Sequence, residues 1–134
     1  RRDPERAAIR RDRWRRIITE AAEQSGRGRV PVLEEPVEFS QACDDAPHPA
    51  IIPWAGEVAT GLKAALGQLT AKGWDGTSLS VLVGPEGGFT RDEIGYARDR
   101  GLTPVTLGDR ILRAETAGIA VAAAVFYELG CFGD

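Results

Sequence analysis

The chain has 134 residues, enough for one compact domain with a real core, and its 43% hydrophobic and 28% charged residues exclude a disordered chain. The net charge of −3 hides an asymmetry: residues 1–29 hold ten Arg against five acids, a net of +5, so the remainder carries −8. The most apolar run, Ala117–Tyr127, is too short for a bilayer span of about 20 residues, and no signal-peptide pattern is present, so a soluble cytoplasmic protein is expected.

In chain order, residues 5–25 read as a helix, with Ile9, Trp14, Ile17, Ile18, Ala21 and Ala22 near i, i+3, i+4 spacing and Arg on the other face. Gly26 and Gly28 end it. Val30–Leu33 reads as a short strand and Phe39–Cys43 as a short helix after Pro36. Ala50–Trp54 has the continuous apolar character of a buried strand, closed by Pro53. A helix over Val58–Leu69, a glycine-containing turn at Lys72–Thr77 and a strand at Leu79–Val83 follow. Thr90 with Glu93 three residues on is a capping box that opens a helix ending near Arg100, before Gly101. Thr103–Thr106 is a strand, and Glu115–Leu129 an Ala-rich apolar helix. Repeated βα order predicts an α/β fold, one domain with a parallel sheet flanked by helices.

Cofactor classes narrow quickly. Cys43 and Cys131 lie far apart with no metal-ligand spacing, and His48, the only histidine, sits between two prolines. No metal site, zinc finger or His-based triad is expected. The loop Val83-Gly84-Pro85-Glu86-Gly87-Gly88-Phe89-Thr90 lies between a strand and a helix, where α/β sheets bind ligands and glycine lets backbone approach them. It is neither GxGxxG nor a P-loop, which argues against a dinucleotide or ATP site. An ordinary strand-to-helix turn is the plain alternative. A second segment, Leu107-Gly108-Asp109-Arg110-Ile111-Leu112-Arg113-Ala114-Glu115-Thr116-Ala117, sets two Arg and one Glu beside apolar side chains. It fits an apolar wall for a ring with charges reaching a polar substrate. It equally fits a helix start where Glu115 favours the macrodipole.

Those two segments, together with Arg13-Trp14-Arg15-Arg16-Ile17 and Glu20-Ala21-Ala22-Glu23-Gln24-Ser25-Gly26-Arg27, resemble the RsmE family of ribosomal small-subunit uracil-N3 methyltransferases, in the SPOUT superfamily. The N-terminal helix motif (Arg13–Arg27) and the two loop segments occur in the family's order and span nearly the whole chain. The resemblance implies a SPOUT-type methyltransferase domain over residues 1–134, with a C-terminal trefoil knot, an S-adenosylmethionine (SAM) cofactor and a homodimer whose active site is completed across the interface. It implies methylation of N3 of one uridine in 16S rRNA of the assembled small subunit, and so a part in rRNA processing and ribosome biogenesis. The family's N-terminal PUA-like RNA-binding barrel and the first strand and helix of its methyltransferase domain have no counterpart here. With Arg at position 1 and no Met, a longer parent protein is expected. Other readings are a SPOUT enzyme with a tRNA or large-subunit target, and a dimeric cofactor-binding fragment without activity.

For the reaction the family implies, uracil N3 must lose its proton, so a carboxylate base is needed, with arginine to stabilise charge on the uracil oxygens. Glu115 or Glu86 is the candidate base, and Arg113 or Arg27 the anion stabiliser. Expected cofactor contacts are Val83, Gly84, Pro85, Gly88, Leu107, Gly108, Ile111 and Leu112, with Pro53 or Trp54 closing the adenine pocket and Trp54 equally able to serve as core. Arg10, Arg13 and Arg16 are expected to touch RNA phosphates.

Overall fold

A computed structural model describes residues 4–26, 29–57, 59–108 and 114–131, with only the backbone at 114 and 115. The chain divides into two compact units, Arg1–Val37 and Glu38–Asp134.

The first unit is built on α1, Pro4–Gln24, followed by residues 29–37 without regular structure. Arg11 and Arg15 both reach the Glu35 carboxylate, so ion pairs tie the extended segment to the helix. The expected division of α1 into apolar and basic faces is not observed. Ile9, Trp14 and Ile17 are 70%, 45% and 50% exposed, and Ala22 is the buried residue of the helix. At 100° per residue, Ile9 and Ile17 fall among Arg6, Arg10 and Arg13, so the surface stripe is basic and apolar together. Val30–Leu33 forms no strand: Pro31 removes a backbone donor from the run, and Val30 and Val32 stand exposed.

The second unit is a three-stranded parallel sheet with helices on both faces. In chain order it contains α2 (Phe39–Asp45), β1 (Ala50–Pro53), α3 (Leu62–Ala71), β2 (Ser80–Val81), α4 (Arg91–Asp99), β3 (Thr103–Val105) and α5 (Ala114–Glu128). The strand order is β2-β1-β3, with Ile51 paired to Val81 on one side and to Thr103 on the other. β1 is central and buried on both faces, which is why its sequence is apolar without alternation. Ala50 and Ile52 face one cluster with Cys43, Ile94, Ala97 and Leu102, from α2, α4 and the turn before β3. Ile51 and Val105 face the opposite cluster with Ala65, Leu66, Val121 and Val125, from α3 and α5. Burying each of these isoleucines contributes about 1.5–3 kcal/mol.

Local signals position the helices. The Thr90 hydroxyl accepts from the Glu93 amide at 3.1 Å, and the Glu93 carboxylate accepts from the Thr90 amide at 2.9 Å, completing the expected capping box of α4. Asp44 of α2 accepts from the Tyr96 hydroxyl and from Arg100, whose guanidinium carbon lies 3.7 Å from the Tyr96 ring centroid. This clamp joins α2 to α4. On α5, Ala117, Val121 and Val125 recur at i, i+4, i+8 and point into the core. The opposite face carries Ile119, Ala122, Ala123 and Phe126, all exposed.

Among the described residues, no helix is long and apolar enough to cross a membrane. Nor does any group of three or more His, Cys, Asp or Glu among them form a metal cage.

Candidate functional site

Because the strands are parallel, the loops after β1, β2 and β3 all leave from one edge of the sheet. The glycine loop follows β2, and Leu107-Gly108 follows β3. Their parent strands are separated by β1 alone, so the two segments start about 10 Å apart. The helices after β1 and β2 pack on opposite faces: α3 joins the Ile51 cluster and α4 the Ile52 cluster. Adjacent strands whose connections diverge in this way open a crevice at their carboxyl ends, the usual ligand position of open α/β sheets. Here that position falls where the loop after β1, starting at Trp54, borders the glycine loop.

The loop is shaped by its glycines. Gly88 has φ +75°, a left-handed conformation that its amide stabilises by donating to Pro85 O at 2.8 Å. At Gly84 the Phe89 ring packs so closely that a Cβ would lie 3.1 Å from two ring carbons. At Gly87 and Gly88 a Cβ would meet open space, so the loop backbone is bare on its outer side. Val83 and Pro85 are exposed beside it, and Glu86 is exposed with no hydrogen bond or ion pair among the described residues.

The second segment begins in the same style. Gly108 has φ +100°, and its amide donates to Thr106 Oγ1 at 3.1 Å. A Cβ at Gly108 would also meet open space. Leu107 packs against the Ile51 cluster. Ile111, Leu112 and Arg113 lie outside the described residues, as does Arg27, and Glu115 is described by its backbone alone. The start of α5 returns to the first segment: a Cβ at Gly118 would stand 3.9 Å from Val83 Cγ2.

Trp54 stands between the two segments. Its amide donates to Val105 O at 3.0 Å, and its indole Nε1–H donates to Phe89 O at 3.1 Å. Sequence reasoning missed Glu57, whose side chain is only 11% exposed. Its carboxylate accepts from the amides of Ala59 and Thr60 at 3.0 and 3.1 Å and pairs with Arg98 of α4 at 3.2 Å. Nothing in the local pattern separates it from a surface acid. A separate groove of about 530 Å³ between α3 and α5, lined by Leu62, Lys63, Ala123, Ala124, Tyr127 and Glu128, holds none of the candidate residues.

A parallel sheet covered on both faces, with bare, glycine-shaped backbone at its carboxyl edge, defines an open α/β domain, the class that places ligands at that edge. The chain belongs to the RNA methyltransferase domain family, whose sequence model matches residues 1–126. Relatives include the ribosomal RNA small subunit methyltransferase E of Synechocystis, 40% identical over 79% of this chain and 35% of that protein. The enzyme of the same name from Bacillus subtilis is 31% identical over 94% of this chain and 50% of its own length. Among solved structures, a Legionella pneumophila protein with bound SAM superposes with a TM-score of 0.79 at 30% identity, covering 96% of this chain and 50% of that one. The Neisseria gonorrhoeae ribosomal RNA small subunit methyltransferase E bound to SAM gives 0.75 at 36% identity, covering 91% and 49%. The chain thus spans between about a third and a half of the length of these relatives.

Proposed function

We propose that this chain is the SAM-binding, methyl-transferring part of a small-subunit rRNA methyltransferase that modifies N3 of a uridine. The observation that carries the reading is that the glycine loop and Leu107-Gly108 leave the same edge of the sheet, on either side of the loop after β1. The residues present fit the cofactor: bare backbone at Gly87, Gly88 and Gly108 lets a ligand approach, with Val83, Pro85 and Leu107 as apolar neighbours. Gly84, Val83, Pro85, Gly88, Trp54, Leu107 and Gly108, together with Ile111 and Leu112, would hold it. When bound, SAM supplies an electrophilic methyl group on a sulfonium. The protein's own task is to orient the uracil and to control one proton. Glu115 takes the N3 proton and Arg113 faces the charge left on the uracil oxygens; Glu86 is the other candidate base and Arg27 the other candidate stabiliser.

The segment after β3 is assigned the trefoil knot of the SPOUT fold. The exposed apolar stripe Ile119, Ala122, Ala123 and Phe126 on α5, at i, i+3, i+4, i+7, supports a homodimer through this helix. On α1, Arg13 and Arg16 are exposed and in no ion pair among the described residues, which supports phosphate contacts by this stripe with Arg10. The proposal is tested in two stages. Calorimetry of the chain with SAM should give saturable binding. Tritium transfer by the parent-length protein should be strong on 30S subunits and weak on tRNA and 50S subunits. Glu115→Gln should keep cofactor affinity and lose transfer; full transfer by that variant removes Glu115 as the base, and preferred transfer to tRNA removes the ribosomal substrate.

A further inference from the structure

In the loop after β1, residues 54–57 and 59–61 belong to neither motif and include only Trp54 of the candidate residues, yet hydrogen bonds link them to both motifs. A continuous path crosses the loop. Phe89 O accepts from the Trp54 indole at 3.1 Å, Trp54 O from the Glu57 amide at 3.1 Å, and Glu57 Oε2 from the Thr60 amide at 3.1 Å. Thr60 O then accepts from the Thr106 amide at 2.8 Å, and Thr106 Oγ1 from the Gly108 amide at 3.1 Å. The path begins in the glycine loop and ends in the second motif. Its middle is moored twice, by the Arg98–Glu57 pair to α4 and by the Gly61–Thr106 bridge to the end of β3.

We propose that this loop is a brace that fixes the separation of the two cofactor-holding segments, with Trp54 and Thr106 as positioning residues at its ends. The assignment rests on the SAM reading given above. The backbone is bare on its outer side at Gly87 and Gly88 of the first segment and at Gly108 of the second, so little on that side fixes its position. A site gripping one ligand from two such loops loses affinity when their spacing is free to vary, because binding must then order them. The brace removes that freedom before the ligand arrives. Its direction also gives Trp54 a defined role: the polar edge of the indole is directed to a protein carbonyl, so it acts on the glycine loop rather than through a polar contact of its own with a ligand.

The test uses variants that keep shape and delete the indole's one hydrogen bond or the two that the Thr106 hydroxyl makes with Gly108. Trp54→Phe keeps an aromatic ring without the donor. Thr106→Val is isosteric without the hydroxyl, and Thr106→Ser keeps the hydroxyl. In the SAM calorimetry, Trp54→Phe and Thr106→Val should each weaken binding about tenfold. The double variant should lose little more than either single one, because both cut the same path. Thr106→Ser should stay near the parent affinity. Parent-like affinity in both single variants, a hundredfold loss in the double, or no rescue by serine would overturn the brace. Hydrogen exchange in the ligand-free chain judges it without cofactor: Thr106→Val should speed exchange across 82–90, and Trp54→Phe across 106–108, each at the far end from the change. Effects confined to the near end would overturn the brace. Failure of the parent chain to bind SAM would remove the cofactor reading while the exchange result still stands.

Discussion

Substituting Gly56 by alanine should damage this protein through a single side chain, Trp54. A Cβ built at Gly56 lies 2.5 Å from Trp54 Cη2 and 2.7 Å from Cε2, where non-bonded carbons prefer about 3.5–4.0 Å. The indole must therefore move by about 1 Å, and its hydrogen bond to Phe89 O cannot survive that shift. Overpacking of this kind costs about 1–3 kcal/mol, and the unpaired donor and acceptor add to it in proportion to their burial. Gly56 is not among the positive-φ glycines, so alanine meets no backbone objection and recovers about 0.4–1 kcal/mol through the unfolded chain. The net expectation is a loss of about 1–3 kcal/mol, or a fall in Tm of roughly 4–12 °C for a domain of this size. Thermal denaturation followed by circular dichroism measures it. The decisive control is Trp54→Ala: with the ring gone, Gly56→Ala should be neutral or slightly stabilising. An equal cost in both backgrounds would show that the clash is not with the indole and would refute the reasoning.

Thr90→Ala removes the hydroxyl that caps α4 and should cost about 0.5–2 kcal/mol, measured as a lowered urea midpoint with an unchanged slope. Burial pushes the Cys43 thiol above its usual pKa, so it stays protonated at pH 8; Ellman's reagent should titrate exposed Cys131 at once and Cys43 only on unfolding. Hydrogen bonds from the Thr77 hydroxyl and amide hold the Asp75 carboxyl below its ordinary range, so it contributes stability above its unfolded pKa of about 3.9, lost as pH falls through the lower folded value. Urea titrations should therefore find Asp75→Ala destabilising at pH 6 and progressively less so as the pH falls below the unfolded value.

Elements whose cause is local were legible in the sequence. The α4 capping box needs only Thr90 and Glu93, and the central strand announces itself as an apolar run ending at proline. Elements whose extent depends on a neighbour were misjudged. The strand expected over Leu79–Val83 pairs only at Ser80–Val81, because its ladder is limited to the first two residues of β1. The helix expected from Val58 begins at Leu62, since the residues ahead of it are held by the Glu57 carboxylate in a non-helical turn. On α1 the apolar residues were read as one face, yet their angular positions scatter among the arginines, and periodicity does not say which side of a helix is covered. Of the candidate site residues, those in the glycine loop and at Leu107-Gly108 leave the same edge of the sheet, two strands apart. Glu57 was invisible because its burial and pairing come from α4, 41 residues further on.

The decisive fact absent from the sequence is the strand order. A βα repeat is equally compatible with the order 1-2-3, in which the glycine loop would stand in the middle and Trp54 at an outer edge. Trp54 would then lie two strands from the segment after β3 and could not bond Val105 with its amide. The observed order puts β1 in the centre, so the loop after it borders both motifs, and only there can one tryptophan hold β3 with its backbone and the glycine loop with its side chain. The same order sends α3 and α4 to opposite faces of adjacent strands, at the border between the loop after β1 and the glycine loop. Whatever chemistry the motifs perform therefore depends on residues that belong to neither of them, and a survey of variants confined to the two motif segments would miss half of what fixes their geometry.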